Sequence, residues 1–473
     1  MNHEKIVFVI NPSLWYERMY PSGILCLSGY LDFKGIPNII LDSKLSNKKV
    51  EFDKRELLIV DQILKLEPSL VCFSASHREY DEVLRMNKTL KSKNHNIKTI
   101  IGGPQATYRP SDFLDHGFEF VCIGEGEETL YEFVQELFSG NKKWEKIKGL
   151  AWKNSEKSFF NEKRPLISED EINLVKIPPF DKLDPKYFEM SGATIRGLIL
   201  KGALLLTTRG CPFSCSFCGC NLIFGKKLRF KRLENIEKEL KYLKEELGVE
   251  GIWIVDDTFT IKKDHVINVS KLLKKYDMVW GCQSRVNTLD KEIINIMKDC
   301  GCVQIDLGVE SGSQRILNDI IHKKTDINQV KEAFKLLKEY GVRSLANFMI
   351  GFPTETCQDF KKTLELAKNI KADEYVFAIA TPLPGTELYK MVGEEIKPED
   401  YSLLDWNGSS LTDRLNKSEI PNISRTLKKI QRKYFLKSVK NSFFTNLSFF
   451  IKKNNKEERI KFLIDNLRKF SIN

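Results

Sequence analysis

The stretch CPFSCSFCGC, Cys211 to Cys220, gathers four of the chain's eleven cysteines into ten residues. Three of them, Cys211, Cys215 and Cys218, have the spacing C-x3-C-x2-C. A disulfide staple, a zinc knuckle and a reactive metal centre all use clustered cysteines, so the compartment decides first. The N-terminus, MNHEKIVFVINPS, runs straight into a strand-like segment without a signal-peptide pattern. No apolar run approaches the ~18 residues that a membrane span requires. A cytoplasmic protein is therefore expected, in which thiols stay reduced and bind metal or react. Structural zinc needs a second ligand pair further along the chain, and the later cysteines are single or C-x-C, as in Cys300 and Cys302. Three clustered thiolates suit three irons of a [4Fe–4S] cube and leave one iron open to a small ligand.

Working outward, the cysteines follow a strand-like run, Ala203–Thr207, in LLLTTRG. Further runs at Gly251–Val255, Met278–Gly281, Val303–Val309, Ser344–Ile350 and Glu374–Ala380 alternate with helical periods. Lys231–Leu247 carries an apolar stripe of Leu233, Ile236, Leu240, Leu243 and Leu247, and Asp326–Tyr340 carries Val330, Phe334 and Leu337. Six β/α units fall short of the eight of a closed barrel, so an open, partial (β/α)6 barrel is expected over 197–399.

Upstream, Lys5–Ile10, Pro37–Leu41, Leu70–Ser74, Lys98–Ile101 and Glu119–Ile123 are short apolar runs with helical stretches between them. This is the pattern of a doubly wound α/β sheet, expected over 1–141. Ligands of such sheets sit beyond the carboxyl ends of the strands. Those ends read NPS, SAS, GGP and GEGEET. They nominate Asn11, Ser13, Ser74, Ser76, Gly102, Gly103, Gly124, Glu125, Gly126 and Thr129 as ligand contacts, tight βα turns being the plain alternative. The stretch 142–196, with KNSEKSFFNEKRP and IPPFDKLDP, reads as a linker with a hairpin. The remainder, 400–473, reads as a basic helical extension with helices at Asn422–Phe449 and Glu457–Phe470.

The cysteine motif, with aromatic Phe217 before its third cysteine and its place after the first barrel strand, resembles the radical S-adenosylmethionine (SAM) superfamily. The preceding domain, through PSGILCLSGYL, PSLVCFSAS, IIGGPQAT and CIGEGEETL, is similar to the B12-binding branch of that superfamily. The resemblance covers about residues 4–395. It implies a Rossmann-like cobalamin domain ahead of the barrel. It also implies a [4Fe–4S] cluster on Cys211, Cys215 and Cys218, with SAM on the fourth iron. By the same resemblance SAM is met by Phe217, Asp256 and Asp257, Arg285, Glu310, Gly351 and Pro382. Helix caps, a surface ion pair and turns are the alternatives for these residues taken singly. Cys220 is either an alternative ligand or a small residue in a turn. The D-x-H-x-x-G signature that gives cobalt a histidine in other B12 proteins is absent. The resemblance then implies a cobalamin without that ligand, with the Asn11–Tyr20 or Ser74–His77 loop facing its lower side.

The implied reaction is methylation of an unactivated carbon by a 5′-deoxyadenosyl radical and methylcobalamin. Cyclisation, ring contraction or oxidation without methyl transfer is the alternative within the same branch. An external one-electron reductant and a small-molecule or lipid substrate are the expected partners. The formal charge of +11, from 75 basic and 64 acidic residues, raises nucleic acid as a partner. Methylthiolating members that act on RNA or ribosomal protein carry three more clustered cysteines. Here Cys26, Cys72 and Cys122 stand apart, so a nucleic-acid partner is not expected. The basic tail leaves peripheral membrane contact open.

Overall fold

The computed structural model describes residues 5–12, 19–42, 52–154, 157–189, 195, 198, 200–393 and 396–434. Ser13, the expected helix Glu457–Phe470 and the basic run Lys452–Arg459 lie outside them. In the first domain, strands β1 (Ile6–Ile10), β2 (Asn38–Asp42), β3 (Leu70–Ser74), β4 (Lys98–Gly102) and β5 (Phe120–Cys122) pair in the order β2-β1-β3-β4-β5. All these pairings are parallel. The strands are nearly continuous apolar runs because helices cover both faces. These are α1 (Ser22–Phe33), α2 (Phe52–Lys65), α3 (Tyr80–Lys93), α4 (Pro104–Tyr108), α5 (Pro110–Asp115) and α6 (Glu127–Ser139). The strand order reverses between β1 and β3, which opens the crevice where such sheets take ligands.

The hairpin read in KNSEKSFFNEKRP forms, as β6 (Leu150–Lys153) and β7 (Ser158–Phe160). It does more than link: β6 pairs antiparallel with β5 and extends the first sheet to seven strands. An unpaired β5 would have left an open edge.

The second domain begins with β8 (Gly202–Leu205), followed by an antiparallel ribbon of β9 (Thr208–Arg209) and β10 (Arg229–Phe230). Then come β11 (Gly251–Ile254), β12 (Val279–Arg285), β13 (Cys302–Glu310), β14 (Arg343–Ile350) and β15 (Glu374–Ile379). With β8 these form a six-stranded parallel sheet in sequence order, the expected open barrel. β12 runs past the expected end at Gly281 to Arg285; the polar Gln283, Ser284 and Arg285 interrupt the apolar run by which the strand is read in sequence. Leu233, assigned above to an apolar stripe, lies in the first turn of its helix and is 38% exposed, while Ile236, Leu240 and Leu243 are buried.

An open barrel has two unpaired edges, and both are covered. On β8 the Tyr20 hydroxyl donates to the Leu204 carbonyl at 2.9 Å and accepts from the Leu204 N–H at 2.8 Å. The phenol thus takes both groups that a neighbouring strand would pair. On β15 the helix 423–434 lies across the edge, with Gln431 Nε2 donating to the Phe377 carbonyl at 3.0 Å and Tyr434 packed on Tyr375 and Phe377.

The extension caps one edge of the barrel. It does so through Ile423, Leu427, Ile430 and Tyr434, but Tyr401, Leu404, Leu411 and Leu415 enter the core of the first domain. Tyr401 is fully buried, donates to Asp112 Oδ2 at 2.6 Å and packs edge-on against Tyr80. Arg78 pairs with Asp405 at 2.7 Å and stacks on Trp406. Tyr401→Ala empties this site and is expected to cost about 3–5 kcal/mol. Tyr401→Phe keeps the packing and loses a hydrogen bond to a charged group, at about 1.5–3 kcal/mol. Shifts in denaturation midpoint with urea check both.

Candidate active site between the two domains

The cysteine loop is closed at its base by the β9–β10 ribbon, which pairs Thr208 with Phe230 and Arg209 with Arg229. Inside the loop Ser216 is tied to two barrel segments: its N–H donates to the Ile321 carbonyl and its carbonyl accepts from the Leu388 N–H. Phe217 packs with Phe352, Ile316, Leu317 and Leu388 in a small apolar core. Here it anchors the loop.

Cys211, Cys215 and Cys218 are all free thiols, partly buried or exposed. Burial pushes the Cys211 thiol up and that of Cys218 up to about 11. A coordinated cation reverses that, because it binds the thiolate. Among the described residues no three Cys, His, Asp or Glu side chains converge on a point for one ion. Arg285 donates from Nη1 to Cys215 Sγ at 3.2 Å.

The nominated SAM contacts divide. Asp256 is fully buried, and Oδ1 accepts from the Thr207 and Thr208 N–H groups at 2.6 and 3.0 Å. Oδ2 accepts from the Thr207 hydroxyl, which also meets His265 Nε2. Asp256 therefore ties the end of β11 to the end of β8. Burial raises its carboxyl to about 6. Asp257 faces the cysteine loop instead, accepting from Cys220 Sγ at 2.8 Å. That settles the position of Cys220: it opens the short helix Cys220–Ile223 and is aimed at Asp257.

Arg285, another nominated contact, is already engaged. Besides Cys215, its donors go to the Lys323 carbonyl and to Asn287 Oδ1, and its plane stacks on Phe213. Glu310 is buried and paired with Lys323 at 2.7 Å. Gly351 and Pro382 do come together, but on a cavity of about 10 Å³ closed by Thr412, Leu415 and Asn416. That holds at most one water.

The larger space lies at the crevice of the first sheet. A cavity of about 450 Å³ is bordered by Ser74, Gly102, Gly103, Gly124, Glu125 and Gly126, with apolar walls from α1, β3 and α6. Its far wall belongs to the second domain: Leu206, Arg209, Ile223, Phe224 and Val255. Gly103 has φ +92°, and a Cβ there would lie 2.7 Å from Ser74 Oγ, so only glycine fits. Gly124 has φ +83° and open space beside it. These bare backbones and the apolar wall fit a large, flat ligand such as cobalamin. Asn11 donates to the Ser74 carbonyl at 2.6 Å across the crevice, and its buried Oδ1 has no partner among the described residues.

Three nominated contacts are spent on structure. Ser76 N–H donates to Glu79 in a capping turn. Thr129 is fully buried, donates to the Lys148 carbonyl and accepts from Arg164. Glu125 borders the cavity, yet its carboxylate pairs with Arg209 at 3.1 Å and Arg229 at 2.6 Å. Glu127 pairs with Arg209 as well, at 2.7 Å. Both strands of the ribbon under the cysteine loop are thus clamped to the first domain. The arginines were missed: Arg209 is printed beside the motif in TTRG, but nothing local says where its partner is.

Alanine at Cys211, Cys215 or Cys218 is expected to abolish iron incorporation, read as iron content after anaerobic reconstitution. Glu125→Ala leaves two buried arginines short of a partner, at about 3–5 kcal/mol, and is expected to lower both thermal stability and iron content. For the two aspartates, opposite results are expected. Asp257→Asn weakens SAM binding by about 10-fold or more, the worth of one charged hydrogen bond, whereas Asp256→Asn leaves it near wild type. Because the folded Asp256 carboxyl is raised above its ordinary value of 3.8, its contribution is fully present below about pH 4 and is lost as pH rises through about 6. Asp256→Asn should therefore gain stability over wild type across that window, seen in paired denaturation curves.

Two family models match the chain: the B12 binding domain over residues 15–134 and the radical SAM superfamily over residues 205–367. An uncharacterized methyltransferase of Pyrococcus horikoshii is 35% identical over 69% of this chain and 70% of its own length. The cytidylyl-2-hydroxyethylphosphonate methyltransferase of Streptomyces wedmorensis is 26% identical over 81% of each chain. Among solved structures, the radical SAM methyltransferase TsrM of Kitasatospora setae superposes with a TM-score of 0.68, at 15% identity, over 82% of this chain and 76% of that one. That likeness concerns the fold. A [4Fe–4S] cluster, SAM and cobalamin are the cofactors that these two domains entail. The chain is an enzyme of the radical SAM superfamily, in the branch that carries an N-terminal B12-binding domain.

Proposed function

We propose that this enzyme methylates an unactivated carbon of a small molecule or lipid. The observation that carries the reading is the single 450 Å³ cavity whose near wall is the B12-binding crevice and whose far wall includes Ile223 and Phe224, from the cysteine loop itself. A B12-binding crevice that shares one space with the cysteine loop suits a reaction in which the group activated at one site is delivered at the other. The name of the Pyrococcus relative, a methyltransferase, supports the same outcome. When bound, the cluster supplies the electron that cleaves SAM and cobalamin supplies the methyl carrier.

The protein's own part is holding and exclusion. Cys211, Cys215 and Cys218 would hold the cluster, with Arg285 orienting Cys215. Asp257 offers a carboxylate beside the cysteine loop that would hold a cationic group of SAM. Gly102, Gly103, Gly124 and Gly126 would lie against cobalamin. The apolar wall of Ile24, Leu27, Ile100 and Leu130 keeps water from the space between them.

The test is anaerobic reconstitution with iron, sulfide and cobalamin, a one-electron reductant, methyl-labelled SAM and fractionated metabolite and lipid extracts. Formation of 5′-deoxyadenosine together with a labelled product is the expected result. Formation of 5′-deoxyadenosine with an unlabelled, rearranged or oxidised product would replace methyl transfer by the non-methylating alternative.

A further inference from the structure

Helix α4 connects the two cofactor sites in five residues. It starts at Pro104, which borders the large cavity with Gly102 and Gly103. Along its length it is bonded to the neighbouring cofactor loops: Gln105 N–H donates to the Ala75 carbonyl, and Thr107 Oγ1 accepts from the Gly124 N–H at 3.0 Å. It ends at Tyr108, which leaves the first domain and meets the cysteine loop. A Cβ on Gly219, between Cys218 and Cys220, would lie 2.1 Å from Tyr108 Oη and 2.8 Å from its Cζ. Across the ring, a Cβ on Gly385 would lie 3.8 Å from Tyr108 Cδ1. The tyrosine is thus seated against the turn next to the third cluster cysteine, with the TPLPGT loop on its other side. No hydrogen bond of its hydroxyl is formed among the described residues, so the seat is made by the ring and by the glycine. Burial, and then the charges of Cys218, Cys220 and Asp257, raise its hydroxyl above the ordinary phenol value, which agrees with that location.

We infer that Tyr108 is a positioning residue that couples the two sites: seating of cobalamin on Gly102–Pro104 sets α4, and the Tyr108 ring transmits that setting to the Gly219 turn and the cluster ligand beside it. The inference rests on the cobalamin-dependent reading above and adds to it a defined mechanical path. An element that contacts both sites can carry a change in affinity from one to the other, and the change is reciprocal. Here α4 contacts both.

The test measures binding, not turnover. Iron content and hydroxocobalamin absorbance first establish that wild type, Tyr108→Phe and Tyr108→Ala each take up cluster and cobalamin. The SAM dissociation constant is then read from the EPR signal of the reduced cluster, with and without hydroxocobalamin. Wild type and Tyr108→Phe are expected to show a difference of about fivefold or more. Tyr108→Ala is expected to reduce it to within about twofold, with both cofactors still bound. Gly219 has φ −86°, so alanine there meets no backbone strain and collides with Tyr108 alone. Gly219→Ala is therefore expected to weaken hydroxocobalamin binding, and Tyr108→Ala in the same chain to restore it. Coupling that survives in Tyr108→Ala, no coupling in wild type, or a double variant no better than Gly219→Ala would overturn the inference and leave the cofactor assignment standing. A wild type that takes up iron but no cobalamin would overturn both.

Discussion

Glu125 sits where two domains and a loop meet, and most of the site depends on it. Its carboxylate reaches Arg209 on one strand of the short ribbon and Arg229 on the other. The nineteen intervening residues, 210–228, contain Cys211, Cys215 and Cys218. A loop of that length, held only by two-residue strands, would have little reason to keep one shape. Pairing both of its feet with one buried acid from another domain fixes it. Glu127 completes the charge count, giving two carboxylates for two guanidiniums. The balance matters because an unpaired buried ion is costly, while a matched set is close to neutral.

The same logic of sharing runs through the remaining contacts. The first domain supplies Glu125, Glu127 and Tyr108 to the cysteine loop, and the barrel supplies Arg209, Ile223 and Phe224 to the cavity of the first domain. Neither site is complete within its own domain. The extension adds a third bond between them by placing Tyr401 in one core and Tyr434 in the other. Large relative motion of the domains would break buried ion pairs and buried aromatic packing together, so adjustment on ligand binding is confined to loops and short helices.

Much of this was legible in the chain and some was not, for identifiable reasons. The alternating apolar runs gave both sheets, because parallel strands buried on two faces leave an unbroken hydrophobic signal. The cysteine spacing gave the loop, because ligand chemistry fixes residue type and distance at once. Single polar residues were read less well. Asp256 and Asp257 are neighbours in sequence, yet successive side chains at a strand end point to opposite sides, so one is a buried tie and the other faces the loop. Thr129 and Ser76 stand in stretches nominated for ligand contact but are engaged in local capping and packing. Tyr108 follows directly on the stretch IIGGPQAT, and its partner is more than one hundred residues away. No local pattern encodes such a contact.

The phenol of Tyr20 on the β8 edge has an implication for how the chain is made. Tyr20 and Leu204 are 184 residues apart, so the first barrel strand is completed by a group synthesised long before it. A ribosome delivers the N-terminal domain first, and domains fold as units in that order. When β8 emerges, its partner already stands in a folded surface, and an edge that could otherwise recruit a foreign strand is met within its own molecule. The order of the two domains along the gene is, on this view, part of the folding pathway as well as of the catalyst.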